Sequence, residues 1–388
     1  MSNHRGAAVR LLAALSPLLI GLATLGSSAP VDADYAQTNL VSNIPGVARF
    51  TDPQLRNAWG MSSSPTGSPI WVSDNFPGLS TLYTGAGVKQ GLVVTIAPPL
   101  GSPAGTTATP TGQVFNSSAN FNNERFIFAT EDGTISGFNG TTTTIINVDN
   151  SAAGAVYKGI AINTASTLLY AANFGAGKID VFNSTPGSAN FGSVNLGAGA
   201  FTDPNLPSGY APFNIQDLGG SLYVAYAVVN PASPGDDLPG LGNGIVDVYN
   251  EMGGQQRRLI TGGTLDSPWG LTLASANFGE YSNDLLVGNF GNGFIHAFNP
   301  TTGAAVGTLE DFKGNPIDID GLWGLKFGTG MGNGGSPNAL YFTAGPNGET
   351  NGLFGTLTVP EPATTALLGI GLAALAGMRR RTLARADA

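Results

Sequence analysis

Carboxylates, amides and indoles recur in this chain at set places, either just ahead of a short apolar run or in the turn that follows one. Asp52, Asp266 and Asp320 precede such runs, as do Asn57, Asp203 and Asp318, whereas Asp74, Asn75, Asn173 and Asn289 lie in turns together with Glu131, Asp132, Asp236 and Asp237. Trp59, Trp269 and Trp323 each open a run and are each followed by glycine. Oxygen ligands that converge from several turns are what Ca²⁺ requires. Indole faces flanked by amides and carboxylates suit the stacking and hydroxyl bonding of a sugar. A carboxylate beside a bound metal is also the base that metal-assisted hydrolysis of a lactone or phosphoester would use. Partners for such catalysis are scarce. There is no Cys, His occurs only at His4 and His296, and no Gly-x-Ser-x-Gly elbow, phosphate loop or His pair is present in a suitable context. Taken singly, each of these residues is explained by turn chemistry and by capping of loose backbone donors. Only their convergence makes a site, so the elements that carry them decide the matter.

Those elements repeat. LLVGNFGNGFIHAFNP (Leu285 to Pro300) is echoed by LLYAANFGAGKIDVFN (Leu168 to Asn183) and, more loosely, by stretches beginning at Ile70, Phe126, Asn243 and Leu340. Each has β-branched and aromatic runs beside a Gly/Asn turn, the pattern of a β-hairpin. An aromatic closes each copy, at Tyr83, Phe138, Phe182, Tyr249, Phe298 and Phe354. A second marker precedes each copy: Trp59-Gly60-Met61, Gly112-Gln113-Val114, Lys158-Gly159-Ile160, Phe213-Asn214-Ile215, Trp269-Gly270-Leu271 and Trp323-Gly324-Leu325. Two interleaved markers in six copies predict an all-β fold, a six-bladed β-propeller with one four-stranded sheet per copy. The longest interval holds the insertion Asn230 to Gly244, whose Asp236-Asp237 pair is a second Ca²⁺ candidate. No strand has room between Leu357 and the Pro360-Glu361-Pro362 triplet, so the run Asn39 to Ser42 is expected to pair as the outer strand of the last blade and close the ring. His296 falls where Asp180 and Asp247 fall in the other copies, a strand position expected to be partly exposed.

In a propeller, the loops entering the innermost strands and the loops joining second to third strands emerge on one face, around the central channel. The candidate ligand and metal residues Asp52, Trp59, Asp74, Asn75, Asn173, Asp266, Trp269, Asn289, Asp320 and Trp323 are therefore expected on that face.

The ends speak of export. Residues 1–33 run from Arg5 and Arg10 through the apolar stretch Leu11 to Leu25 to small residues, the order of a secretory signal peptide, with Val31-Asp32-Ala33 as the expected cleavage triplet. The alternative is a retained anchor, for which the apolar run is short. At the other end Pro360-Glu361-Pro362 leads into ATTALLGIGLAALAG (Ala363 to Gly377) and then Arg379-Arg380-Arg381. This three-part tail over 358–388 resembles the PEP-CTERM sorting signal. The apolar segment is expected to form a single helix that nearly crosses a bilayer, with the arginines held on the cytoplasmic side. The resemblance implies an exosortase-type processing enzyme as partner and removal of the tail. A plain tail anchor is the alternative.

With NLVSN at its start, WGM and WGL strand openings and PTGQVFN at Pro110 to Asn116, the body (34–357) resembles uncharacterised bacterial PEP-CTERM proteins. Those proteins share a six-bladed propeller distantly similar to NHL-repeat and gluconolactonase-type propellers. That resemblance brings no activity with it.

Between residues 34 and 359 the chain has 10 Lys and Arg against 22 Asp and Glu, a net of −12. This argues against nucleic acid, and against any membrane contact other than the C-terminal helix before processing. The expected protein is thus an exported module, anchored at the inner membrane and then released to the envelope or extracellular matrix. It would bind a carbohydrate such as exopolysaccharide, or another matrix polymer, on its channel face with Ca²⁺ as a bridging or structural ion. The alternative is a metal-assisted lactonase or phosphoesterase using the same channel.

Overall fold

The largely apolar run Leu168–Asn173 and the mixed run Lys178–Asn183, joined by a Gly-containing turn, pair as an antiparallel hairpin, with Leu169 opposite Phe182 and Ala171 opposite Asp180. The same logic repeats around the molecule in a computed structural model that describes residues 35–184 and 191–360. Six sheets result, five of them four-stranded and antiparallel and the sixth five-stranded, with one parallel pair at its edge. Their innermost strands are Ala58–Ser62, Pro110–Phe115, Tyr157–Ile162, Tyr210–Asp217, Pro268–Leu273 and Leu322–Phe327, and each packs beside the innermost strand of the next sheet. The protein is a six-bladed β-propeller. Helical structure among the described residues is limited to three short 3₁₀ turns, Phe121–Asn123, Ser151–Ala153 and Gly279–Tyr281.

The ring closes where the sequence placed the closure. Ala36–Ser42 pairs antiparallel with Leu353–Thr358, Ala36 facing Thr358 and Ser42 facing Leu353, so the first described strand joins the sixth blade, with the two-residue strand Phe50–Thr51 pairing parallel on its outer side. The predicted pairing of Asn39 to Ser42 extends three residues further toward the N-terminus. The expected leader over 1–33, the apolar stretch Ala363 to Gly377, and Glu361, Pro362, Arg379, Arg380 and Arg381 lie outside the described residues.

Apolar packing is divided among the blade interfaces. One buried cluster fills each junction between adjacent blades, for example Trp71, Leu82 and Val94 of blade 1 against Phe126 and Phe128 of blade 2. Leu40 and Val41 of the closing strand join Ile70, Val72 and Tyr83 of blade 1 and Tyr341 and Phe354 of blade 6. A seventh cluster, described below, lies on the axis.

Glu124, 1% exposed, follows the first 3₁₀ turn, and its Oε2 accepts a 2.7 Å bond from Asn147 Nδ2. Burial pushes its carboxyl from the usual 4.5 up to about 7 despite that bond. A folded-state value above the unfolded one means the folded protein holds the extra proton. This contribution to stability is complete below pH 4.5 and is lost as pH rises through about 7. Denaturation midpoints of Glu124→Gln, measured from pH 4.5 to 7, are therefore expected to lack a decline, of at most ~1.4 kcal/mol per pH unit, that the parent protein shows. Parallel profiles would contradict this.

Candidate functional site

Every innermost strand carries a bulge at the same place. Pairing with the second strand slips between Ala58 and Met61, Pro110 and Gln113, Tyr157 and Gly159, Pro212 and Asn214, Pro268 and Gly270, and Leu322 and Leu325. The extra residue at each slip turns a side chain out of register with its sheet. In chain order these residues are Trp59, Thr111, Lys158, Phe213, Trp269 and Trp323. Glycine follows most of them because neighbouring inner strands come close: a Cβ on Gly60 would lie 2.6 Å from Thr111 O, and one on Gly324 would lie 2.7 Å from Trp59 O.

The indoles fill the axis. Trp59 and Trp323 stack with ring centroids 3.5 Å apart, Phe290 stacks on Trp323 at 3.9 Å, and Trp269 meets Trp59 and Trp323 edge-on at 6.0 and 5.9 Å. Residues from blades 1, 3, 4, 5 and 6 meet in this one cluster, which only the axis permits. All three indoles are buried, 1 to 3% exposed, so none offers a free face for a sugar to stack on.

Above this aromatic plug, at the mouth where the acidic turns emerge, most of the polar groups pair with one another, although Asp237 Oδ2 and Trp59 Nε1 are buried without a hydrogen-bond partner. Lys158 Nζ lies 2.5 Å from Glu131 Oε1 and 3.6 Å from Asp236 Oδ1, and above the rings of Trp59 (5.3 Å) and Phe174 (5.9 Å). Glu131 Oε2 accepts from Asn75 Nδ2 at 2.8 Å, and Asn57 Nδ2 donates to Glu349 Oε2 at 2.8 Å and, more weakly, to Asn75 Oδ1 at 3.3 Å. Trp323 Nε1 donates to Asn57 Oδ1 and Trp269 Nε1 to Lys158 O, each at 3.0 Å, tying plug to mouth. Burial alone would lower Lys158. The carboxylates of Glu131, Asp236 and Asp237 outweigh it and hold the ammonium above its usual value. Burial raises Glu349, and the neighbouring charge of Glu131 adds to the rise. Sequence reasoning used Lys158 only as a strand marker and missed it as the cation of this mouth.

The remaining predicted residues do not converge: each is engaged locally, and Asp74 and Asn289 are fully buried. Asp52 takes the Tyr83 hydroxyl at 2.6 Å and Lys89 at 2.7 Å, and Asp74 takes Thr81 Oγ1 at 2.8 Å, all in the junction beside blade 1. Burial raises Asp74 well above the carboxylate range. Asn173 Oδ1 accepts from the backbone of Val156 and Ala176, Asp266 Oδ1 accepts from Gly240 N, and Asn289 Nδ2 donates to Thr264 O. Exposed Asp320 accepts from Asn347 N. Asp236 of the insertion is occupied by Lys158 and Ser233. Among the described residues no three acidic or histidine side chains are grouped to hold a metal ion. His296 corrects the expectation of partial exposure. It is 5% exposed, with Nδ1 2.8 Å from Thr308 Oγ1, and burial pushes it down to about 4.

Below the plug the channel widens into a cavity of about 350 Å³. Its wall takes one residue from each inner strand, three positions after the axial one: Ser62, Val114, Ala161, Gln216, Thr272 and Lys326. Trp269 also lines it, and the lining residues lie from the middle to the C-terminal end of each inner strand, so it opens on the face opposite the acidic turns. Ser62 is engaged, donating to Gln113 Oε1 at 2.9 Å. Ser63 Oγ is buried without a partner. Burial pushes the Lys326 ammonium down from its usual value.

Residues 358–381 match the PEP-CTERM protein-sorting motif, which indicates export by way of a membrane-anchored intermediate and exosortase-dependent processing. The body is 31% identical over 337 residues to the uncharacterized protein R648 of Acanthamoeba polyphaga mimivirus, covering 82% of this chain and 78% of that one. The chain belongs to the R648 family. A second mimivirus relative, the uncharacterized protein L690, is 30% identical over 343 residues, covering 82% of this chain and 84% of its own. A structural-genomics protein of unknown function from Bacteroides thetaiotaomicron superposes with a TM-score of 0.51 at 10% identity, covering 84% of this chain and 76% of that one. That likeness concerns fold alone. Membership of the R648 family leaves the chemistry to the site.

Proposed function

We propose that this R648-family protein is an exported binding module. After exosortase removes its tail it resides in the envelope or extracellular matrix, and it takes a unit of a matrix polysaccharide into the lower cavity of its channel. One contrast carries the reading. At the acidic mouth Lys158, Glu131, Asp236 and Glu349 are engaged internally and Asp237 Oδ2 is left unpaired, whereas the cavity beneath the plug presents Gln216, Thr272 and Ser63 with no side-chain hydrogen bond inside the protein. Hydroxyls and amides left unpaired in a concavity favour a ligand rich in hydroxyls. The upper residues Asp52, Asp74, Asn173, Asp266 and Asn289 then serve as structural holds for their turns.

Ca²⁺ is not required by this reading, because an ion at the acidic mouth would have to displace the Lys158 ammonium from Glu131. Melting temperatures with Ca²⁺ and with chelator are expected to coincide. A ligand at 100 times its dissociation constant would instead add roughly 2.7 kcal/mol, and such a rise would favour the metal-assisted hydrolase.

The binding test is calorimetric titration of the folded propeller with neutral and acidic oligosaccharides. Binding is expected to weaken at least about tenfold in a Gln216→Ala, Thr272→Ala double variant, by about 1.4 kcal/mol, with an unchanged melting temperature. Absence of binding by the parent protein to every oligosaccharide would overturn the proposal.

A further inference from the structure

The body has 10 Lys and Arg, all among the described residues. Nine are engaged. Lys89, Lys158, Lys178 and Arg258 pair with carboxylates; Arg56, Arg125 and Arg257 donate to backbone carbonyls; Arg49 and Lys313 lie over phenyl rings. Of these ten, all among the described residues, only Lys326 has a side chain with no ion pair, hydrogen bond or ring contact, and it stands half-buried in the wall of the lower cavity.

In a body of net charge −12 this is unusual, because a surrounding excess of carboxylates should supply a partner to any lysine within reach. An acid is present in the same wall. Asp217 lines the cavity, but its Oδ1 accepts from Gly220 N at 2.7 Å and its Oδ2 faces Thr164 Oγ1 at 3.5 Å. Burial raises Asp217 and burial lowers Lys326, and neither shift has a contribution from the other group. A partly desolvated ammonium without an internal counter-charge is stabilised by an anion arriving from outside.

The geometry points to a carboxylate-bearing sugar as the ligand. We infer that the lower cavity binds a uronate unit of an acidic polysaccharide, with its carboxylate paired to Lys326 and its hydroxyls taken by Gln216, Thr272 and Ser63. This rests on the proposed function and specifies the charge of its ligand. A single lysine without an arginine fork fits a monoanion better than a phosphate dianion, which the acidic body also repels. The uncharged amide and hydroxyls of the wall match the rest of a sugar ring.

The experiment titrates the folded propeller with three probes at low and moderate salt: a galacturonate oligosaccharide, a neutral oligosaccharide of equal length, and sodium acetate. The uronate oligomer is expected to bind at least about tenfold more tightly than the neutral one at low salt, about 1.4 kcal/mol, with the advantage shrinking as salt rises. In Lys326→Met the advantage should vanish while neutral binding persists, and Lys326→Arg should keep most of it. Equal binding of acidic and neutral oligomers overturns the uronate assignment but leaves the binding module standing. Acetate competing as effectively as the uronate, mole for mole, overturns the sugar. No binding of either oligomer overturns both readings. A Lys326→Met effect equal on both oligomers marks a structural lysine and overturns the assignment of its charge.

Discussion

A chain shortened to begin at Asn43 is expected not to form a stable propeller. The lost segment supplies the closing strand of the sixth blade and four buried side chains, the apolar Tyr35, Leu40 and Val41 and the polar Ser42. Tyr35 also fastens the far side of that blade, its hydroxyl donating to Phe278 O at 3.0 Å and its backbone N–H to Glu310 O at 2.9 Å. Each large apolar side chain contributes roughly 1.5–3 kcal/mol by burial, so the sum is of the order of a whole domain's net stability, about 5–15 kcal/mol. The exposed edge of Leu353–Thr358 would add a template for aggregation. Urea denaturation followed by circular dichroism tests this. A cooperative transition at the parent midpoint would show that the closing strand is dispensable. A peptide spanning Tyr35 to Ser42, added in trans, should restore part of the transition by re-forming the pairing.

Trp323→Ala is expected to cost about 3–5 kcal/mol, the range for removing a large aromatic side chain from a packed interior. The indole is sandwiched with Trp59 and Phe290, touches Phe213, and holds Asn57 through its N–H. Its loss would open the axis and release the hydrogen-bonded mouth above it. Trp323→Phe should recover part of the loss, since it keeps the stack and forfeits the bond to Asn57. If Trp323→Ala instead left stability within about 1 kcal/mol and abolished oligosaccharide binding, the indoles would be a ligand platform and not a plug. Trp269 is the informative neighbour, because it belongs to the plug and also lines the lower cavity.

Much of this architecture was legible from residue order alone. A strand's side chains alternate with period two, its turns need Gly or Asn, and six copies of two markers can close only as a ring. The hairpins at Leu168 to Asn183 and Leu285 to Pro300, the closing run ahead of Ser42 and the sorting tail are local patterns, complete within a few dozen residues. The site was a different matter. Whether Trp59 faces the axis or a blade junction depends on one extra residue in its strand, because a bulge moves a side chain from one face to another. The acids of the turns could be assigned to one face, but not the fact that Lys158, from a third blade, already neutralises their mouth. Lys326, Gln216, Thr272 and Ser63 come from four blades, the first three directly after their strand markers, but their residue types follow no common pattern; they are brought together only when the ring closes and the tryptophans divide the channel into an upper end and an open lower one.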